Sequence, residues 1–165
     1  MAKGLVYIYT GDGRGKSPAA LGRALQAAME GRSVVVIQFL KGNASNNSDF
    51  LRRMEPEIKF FSFEKSVENY EELSEGKKQE EIVNIRNGMN FAKKVLATRE
   101  CDLLILDEVL RLVEKDIMSV EDLKSMLECR GDTDVILTGV RLDDGICILA
   151  DEVSRIETVK FKVWE

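Results

Sequence analysis

The chain contains no histidine. That removes the side chain most often used as a general base near neutral pH, and with it every serine–histidine and cysteine–histidine mechanism. Its three cysteines, Cys101, Cys129 and Cys147, are widely spaced and form no C-x-x-C pair. Their number and spacing argue against a disulfide framework or a zinc site, and buried free thiols in a reducing cytoplasm are expected. No apolar run approaches the roughly 20 residues needed to span a bilayer. Only a short apolar stretch follows Lys3, so neither a secretory leader nor a membrane association is expected. A basic surplus is missing too: 24 Lys and Arg stand against 29 Asp and Glu, a balance that argues against a nucleic-acid partner.

What is present is the patterning of an α/β protein. Leu5–Tyr9, Ser33–Phe39, Lys59–Phe63, Leu103–Leu106 and Asp134–Thr138 read as strands, and Glu152–Lys162 as a last one. Their runs of Val, Ile and Leu lack clean alternation, which suits parallel strands covered on both faces. Helices are predicted between them. Ser17–Glu30 is rich in alanine and leucine and ends at Gly31; Glu80–Arg99 carries Ile82, Ile85, Met89, Ala92 and Leu96 at helical spacing. Ser119 caps a third helix, with Asp122 three residues on. Alternating strands and helices imply a three-layer domain with a mostly parallel central sheet, and 165 residues suit a single such domain. Lys41–Asn47 and Lys65–Lys78 read as polar connections, and the run from Glu64 to Glu81 as a solvated face.

Two segments carry chemistry. Thr10-Gly11-Asp12-Gly13-Arg14-Gly15-Lys16-Ser17 joins the first strand to the first helix. A glycine-rich turn in that position lets backbone N–H groups converge on phosphate, and the helix adds its positive end. Lys16 would reach the phosphates and the Ser17 hydroxyl would help bind Mg²⁺. Thr10 occupies the place of the first glycine in G-x-x-x-x-G-K-[ST], and Pro18 is tolerated because the first helical turn does not need every N–H. The second segment, Cys101-Asp102-Leu103-Leu104-Ile105-Leu106-Asp107-Glu108, reads as a buried strand ending in adjacent carboxylates. One of them would hold Mg²⁺, a cation that prefers oxygen ligands. Nucleotide with Mg²⁺ is the ligand this pairing points to.

Over nearly its whole length the chain resembles the P-loop ATP:corrinoid adenosyltransferases. The resemblance is carried by the short loop Thr10–Ser17, Gln38-Phe39-Leu40-Lys41-Gly42, Leu104-Ile105-Leu106-Asp107-Glu108, Leu137-Thr138-Gly139 and Leu149-Ala150-Asp151-Glu152-Val153. It implies a RecA-like P-loop fold and a reaction in which Co(I) of a corrinoid attacks the 5′-carbon of ATP, releasing triphosphate. It further implies that Lys16, Ser17 and Glu108 hold the triphosphate and Mg²⁺. Thr10–Pro18 would line the nucleotide, and Lys41 would lie near nucleotide or corrinoid. A reductant protein or reduced flavin and a homodimer are implied as partners.

The chain departs from the family's pattern at Pro18 (usually threonine), Gln26 (arginine), Val140 (arginine, with Arg141 following) and Phe161 (histidine). Neither the family's glycine-rich segment after that last pair nor an extension before the first strand is present in the sequence. The departures are expected to thin the polar contacts around the phosphates. Two other readings therefore stand beside the transferase: a relative that binds ATP or corrinoid as a sensor or partner, and a P-loop ATPase or kinase of another substrate class. Phe60, Phe61 and Phe63 read as core aromatics rather than a corrinoid pocket, and Trp164 as part of a flexible tail.

Overall fold

A computed structural model describes residues 3–40, 48–63 and 69–162. Six strands form one sheet in the order β3-β2-β4-β5-β1-β6. They are β1 (Val6–Thr10), β2 (Val34–Gln38), β3 (Ile58–Ser62), β4 (Leu103–Asp107), β5 (Asp134–Thr138) and β6 (Glu152–Arg155). Every pairing is parallel. The interior strands are buried on both faces, which is why β2 and β4 read as unbroken aliphatic runs.

The helices are α1 (Lys16–Met29), α2 (Ser48–Arg52), α3 (Glu75–Ala97), α4 (Val109–Glu114), α5 (Val120–Glu128) and α6 (Asp144–Cys147), with a 3₁₀ turn at Tyr70–Glu72. On one face of the sheet, Ala20, Ala24 and Ala27 of α1 pack on Val34, Val36, Ile105 and Ile136. Methyl-sized side chains let that helix lie close to the sheet. The other face carries the larger core, in which Ile85, Ala92 and Leu96 of α3, Leu110 of α4 and Leu123 of α5 cover Val35, Ile37, Leu104, Leu106 and Leu137. The connection leaving β1 thus crosses to one face, and those leaving β4 and β5 cross to the other. Such a divergence opens a crevice at the carboxyl ends of the strands, where ligands of open α/β sheets bind. Among the described residues, no helix is long and apolar enough to cross a membrane.

Several expectations from sequence are corrected. β6 ends at Arg155 instead of running to Lys162, because the chain leaves the ladder to lie over the loop after β1. α3 starts five residues earlier than the apolar spacing indicates. Its first turn is held by Ser74, whose hydroxyl accepts from the Lys77 N–H, and not by buried side chains. The segment expected as a polar connection before Lys78 therefore contains the 3₁₀ turn and the start of α3. Glu81, placed on the solvated face by sequence, is buried. Ile82 and Met89 are only half-buried, and Gly88 and Val95 take the core positions. Of the cysteines, Cys101 is buried while Cys129 and Cys147 are half-buried; all three are free.

Other expectations hold. Ser119 and Asp122 form a reciprocal capping box at α5. Phe61 and Phe63 stack around Phe91 of α3, with ring centroids 4.7 and 5.7 Å away, as core aromatics. Lys41–Asn47 and Trp164 lie outside the described residues.

Candidate active site

The loop after β1 is anchored before it turns. The buried Thr10 hydroxyl donates to the Val140 carbonyl at 3.1 Å, and the Gly11 N–H donates to the same oxygen at 3.2 Å. Thr10 therefore does useful bonding where the longer consensus has glycine. At the far end, Gly15 sits at φ 112° as the residue before α1. A side chain there would be strained, and the left-handed turn aims the first helical N–H groups back over the loop. Lys16 opens α1, and its Nζ donates to the Gly13 carbonyl at 2.9 Å. Pro18, the third helical residue, is exposed and removes no intrahelical bond.

The acidic end of β4 lies one strand away, since β5 separates it from β1. Asp107 is only 3% exposed. Its Oδ1 accepts from the Ser17 hydroxyl at 2.8 Å and from the Thr138 hydroxyl at 2.7 Å. The Thr138 oxygen in turn accepts from the Glu108 N–H at 2.8 Å. Glu108 has φ 66°, an uncommon conformation for a residue with a side chain, and it precedes α4. One chain of hydroxyls thus ties the phosphate loop, the carboxylate pair and the end of β5 together. Sequence reading brought Lys16, Ser17, Asp107 and Glu108 to one site, and the fold does so as well.

Thr138 was visible only as part of a motif, without a role; its hydroxyl proves to be the junction. Arg111 was missed altogether. From α4 its guanidinium donates to the Leu40 carbonyl at 3.1 Å and to Glu71 at 2.5 Å, and Lys115 also pairs with Glu71. Hydrogen bonding to Lys115 foremost, and also to Arg111, holds the Glu71 carboxyl down at about 2. These contacts pin the end of the segment after β2, where Leu40 sits at φ 49°. No local pattern signals them, because Glu71 and Arg111 are 40 residues apart. Lys41, placed near the nucleotide or corrinoid by sequence, lies outside the described residues.

The departures fall in different places. Gln26 is ten residues beyond Lys16, about 15 Å along the helix. It lines a cavity of about 250 Å³ with Tyr7, Arg23, Arg32 and Asp134, away from the loop. The expectation that losing arginine there thins the phosphate contacts is therefore corrected. Val140 serves the loop through its carbonyl, which its side chain does not alter. Arg141 is exposed, with its Nε 3.6 Å from Glu114. Phe161 lies under the Arg14 guanidinium, 3.6 Å from the ring centroid.

A parallel sheet with a glycine-rich loop at its crevice, a Gly-Lys-Ser opening the next helix, and a carboxylate pair one strand over define a P-loop nucleotide-binding domain. A KaiC-like protein, PH0186 from Pyrococcus horikoshii, shares this fold with a TM-score of 0.56 at 20% identity, covering 96% of this chain and 75% of that one. The family described as ATP:corrinoid adenosyltransferase BtuR/CobO/CobP matches residues 2–165, and the chain belongs to it. It is similar to the corrinoid adenosyltransferase CobA of Salmonella typhimurium, with 31% identity over 159 residues, covering 96% of this chain and 79% of that protein. It is similar to the corrinoid adenosyltransferase of Escherichia coli K12 to the same extent, 31% over 162 residues. The relative from Pseudomonas aeruginosa is 26% identical over 166 residues.

Proposed function

We propose that this protein transfers the 5′-deoxyadenosyl group of ATP to Co(I) of a corrinoid, releasing triphosphate. The observation that carries the reading is the hydroxyl-linked cluster of Ser17, Asp107 and Thr138 beside the phosphate loop, in a chain of this family. The cobalt lone pair forms the bond to C5′, the C5′–O bond breaks, and its electron pair leaves with the triphosphate. Cobalt is oxidised from Co(I) to Co(III) in that step, and no proton need move. A chain without histidine can therefore do this chemistry, because the nucleophile belongs to the substrate.

The protein's part is positioning and stabilising the leaving group. The N–H groups at the start of α1 and the Lys16 ammonium face the accumulating charge on triphosphate. Lys16 exchanges its bond to the Gly13 carbonyl for phosphate oxygen. Ser17, Asp107 and Glu108 offer hydroxyl and carboxylate oxygens, the hard donors that suit Mg²⁺, and would hold it against the phosphates. The bound ion would supply charge neutralisation of the leaving group. The acceptor must arrive as Co(I), so a reductant, either reduced flavin or a protein, belongs to the same reading. A homodimer and a cytoplasmic setting belong to the same proposal.

Incubation with Mg-ATP and chemically reduced cobalamin tests this directly. Adenosylcobalamin and triphosphate should appear in equal amounts. ADP or inorganic phosphate formed without corrinoid would instead identify an ATPase or kinase, and binding of ATP without product would identify a sensor or partner protein.

A further inference from the structure

The segment following β6 lies across the loop after β1. The Ile156 N–H donates to the Thr10 carbonyl at 2.8 Å, extending the ladder one step past Arg155. The Ile156 carbonyl then accepts from the Gly13 N–H at 3.0 Å, and the Thr158 hydroxyl oxygen accepts from the Arg14 N–H at 2.9 Å. Phe161 closes the contact beneath the Arg14 guanidinium. The two backbones touch. A Cβ on Gly11 would lie 2.4 Å from the Ile156 carbonyl oxygen, and one on Gly13 would lie 2.6 Å from that oxygen and 2.7 Å from the Glu157 backbone. These two glycines are thus required by the crossing segment, independently of any phosphate.

We infer that residues 156–161 form a brace that positions the phosphate loop, with Thr158 and Phe161 as its positioning residues. The brace divides the loop's donors. The Gly13 and Arg14 N–H groups are committed to it, and the donors it leaves for triphosphate include those at the helix start, around Gly15 and Lys16. It acts on Lys16 through one peptide unit, because the Gly13–Arg14 peptide gives its N–H to the Thr158 hydroxyl and its carbonyl to Lys16 Nζ. A loop held in this way is ordered before ATP arrives, so binding does not have to order it. Competition between the segment and triphosphate is disfavoured by its root: Ile156 is bonded to β1 itself, and peeling it would break the edge of the sheet. The inference rests on the reading of this loop as the ATP site.

The test is Thr158→Val beside Thr158→Ser. Thr158 is exposed, so both variants should fold as the wild type does. Losing one hydrogen bond to a loop N–H should weaken Mg-ATP binding about fivefold in the valine variant. The serine variant should bind normally. KM for ATP should rise in parallel, with kcat and KM for corrinoid unchanged. Phe161→Leu should shift ATP affinity about twofold in the same direction, and Phe161→Tyr should not. Hydrogen exchange in the ATP-free protein reads the brace itself, and the Arg14 amide should exchange at least tenfold faster in Thr158→Val. Equal or tighter ATP binding by Thr158→Val overturns the inference, tighter binding identifying a segment that competes with triphosphate. Should the wild type fail to bind Mg-ATP, the ATP-site reading falls, and unchanged exchange at Arg14 then removes the brace as well.

Discussion

Thr138→Val removes a single hydroxyl at the junction of the site while keeping the side chain's shape. That hydroxyl donates to Asp107 at 2.7 Å and accepts from the Glu108 N–H at 2.8 Å, in a residue with no exposed surface. A hydrogen bond to a charged partner contributes about 2 kcal/mol, and stranding a part-buried N–H costs about 1 kcal/mol more. The variant should lose about 3 kcal/mol, which for a chain of this size lowers Tm by about 6–12 °C. Thr138→Ser keeps the hydroxyl and deletes one methyl group, at a cost of about 1 kcal/mol. The predicted order of stability is therefore wild type, serine, valine. Packing alone predicts the opposite order for the two variants, because valine fills the site and serine does not. Calorimetric melting of the three proteins decides between them. A valine variant more stable than the serine one would refute the hydroxyl relay. Adenosyl transfer should follow the same order, with kcat/KM down at least tenfold in valine, since the Glu108 backbone loses the contact that fixes its left-handed turn.

Other perturbations separate the local parts of the site and fold. Lys16→Ala should abolish measurable Mg-ATP binding in calorimetric titration while leaving Tm within a few degrees, because among the described residues the Nζ it removes bonds the Gly13 carbonyl alone. Burial pushes the Cys101 thiol up to about 12. Iodoacetamide at pH 8 should therefore leave Cys101 unmodified in the folded protein and alkylate it only after denaturation, as read by peptide mass spectrometry. Glu71, held down at about 2 by Lys115 and Arg111, is charged when folded across a range in which the unfolded chain takes up a proton. Its contribution is complete above the ordinary carboxylate value and is lost as pH falls from there towards 2. With the carboxylate nearly half exposed, the contribution is at most about 1 kcal/mol. Urea melts of Glu71→Gln should match the wild type at low pH and fall below it by about that amount at pH 7.

Most of this arrangement was legible because it is local. The β1–loop–α1 unit is continuous in sequence, and its strand, glycines and Gly-Lys-Ser are each readable without the rest. The Leu103–Glu108 run is likewise self-contained. The missed parts join distant segments. Arg111 matters through Leu40 and Glu71, Thr138 through Asp107 and Glu108, and Ile156 through Gly13. Gln26 misled for a related reason. Its position in the helix that follows the loop suggests proximity to phosphate, yet ten helical residues carry it to the opposite end of the sheet. The early start of α3 escaped because a cap, and not apolar spacing, begins it.

The strand order explains why a hydroxyl at the end of β5 is needed at all. Neighbouring strands lie about 4.8 Å apart, so inserting β5 puts the ends of β1 and β4 about 10 Å from one another. Neither a loop N–H nor a short carboxylate spans that gap alone. Ser17 covers part of it from the first turn of α1, Asp107 covers part from β4, and Thr138 fixes the carboxylate from below at the strand between them. The same divergence leaves the outer side of the loop without a strand partner, and the segment after β6 supplies one. The loop is thus held from both sides, by the Thr10 and Gly11 bonds to Val140 beside β5 and by Ile156 and Thr158 beyond β1. A loop held from both sides can spare its first glycine. Thr10 needs no unusual backbone freedom because its hydroxyl is one of the anchors, while Gly11, Gly13 and Gly15 remain glycine where the brace and the turn into α1 demand it.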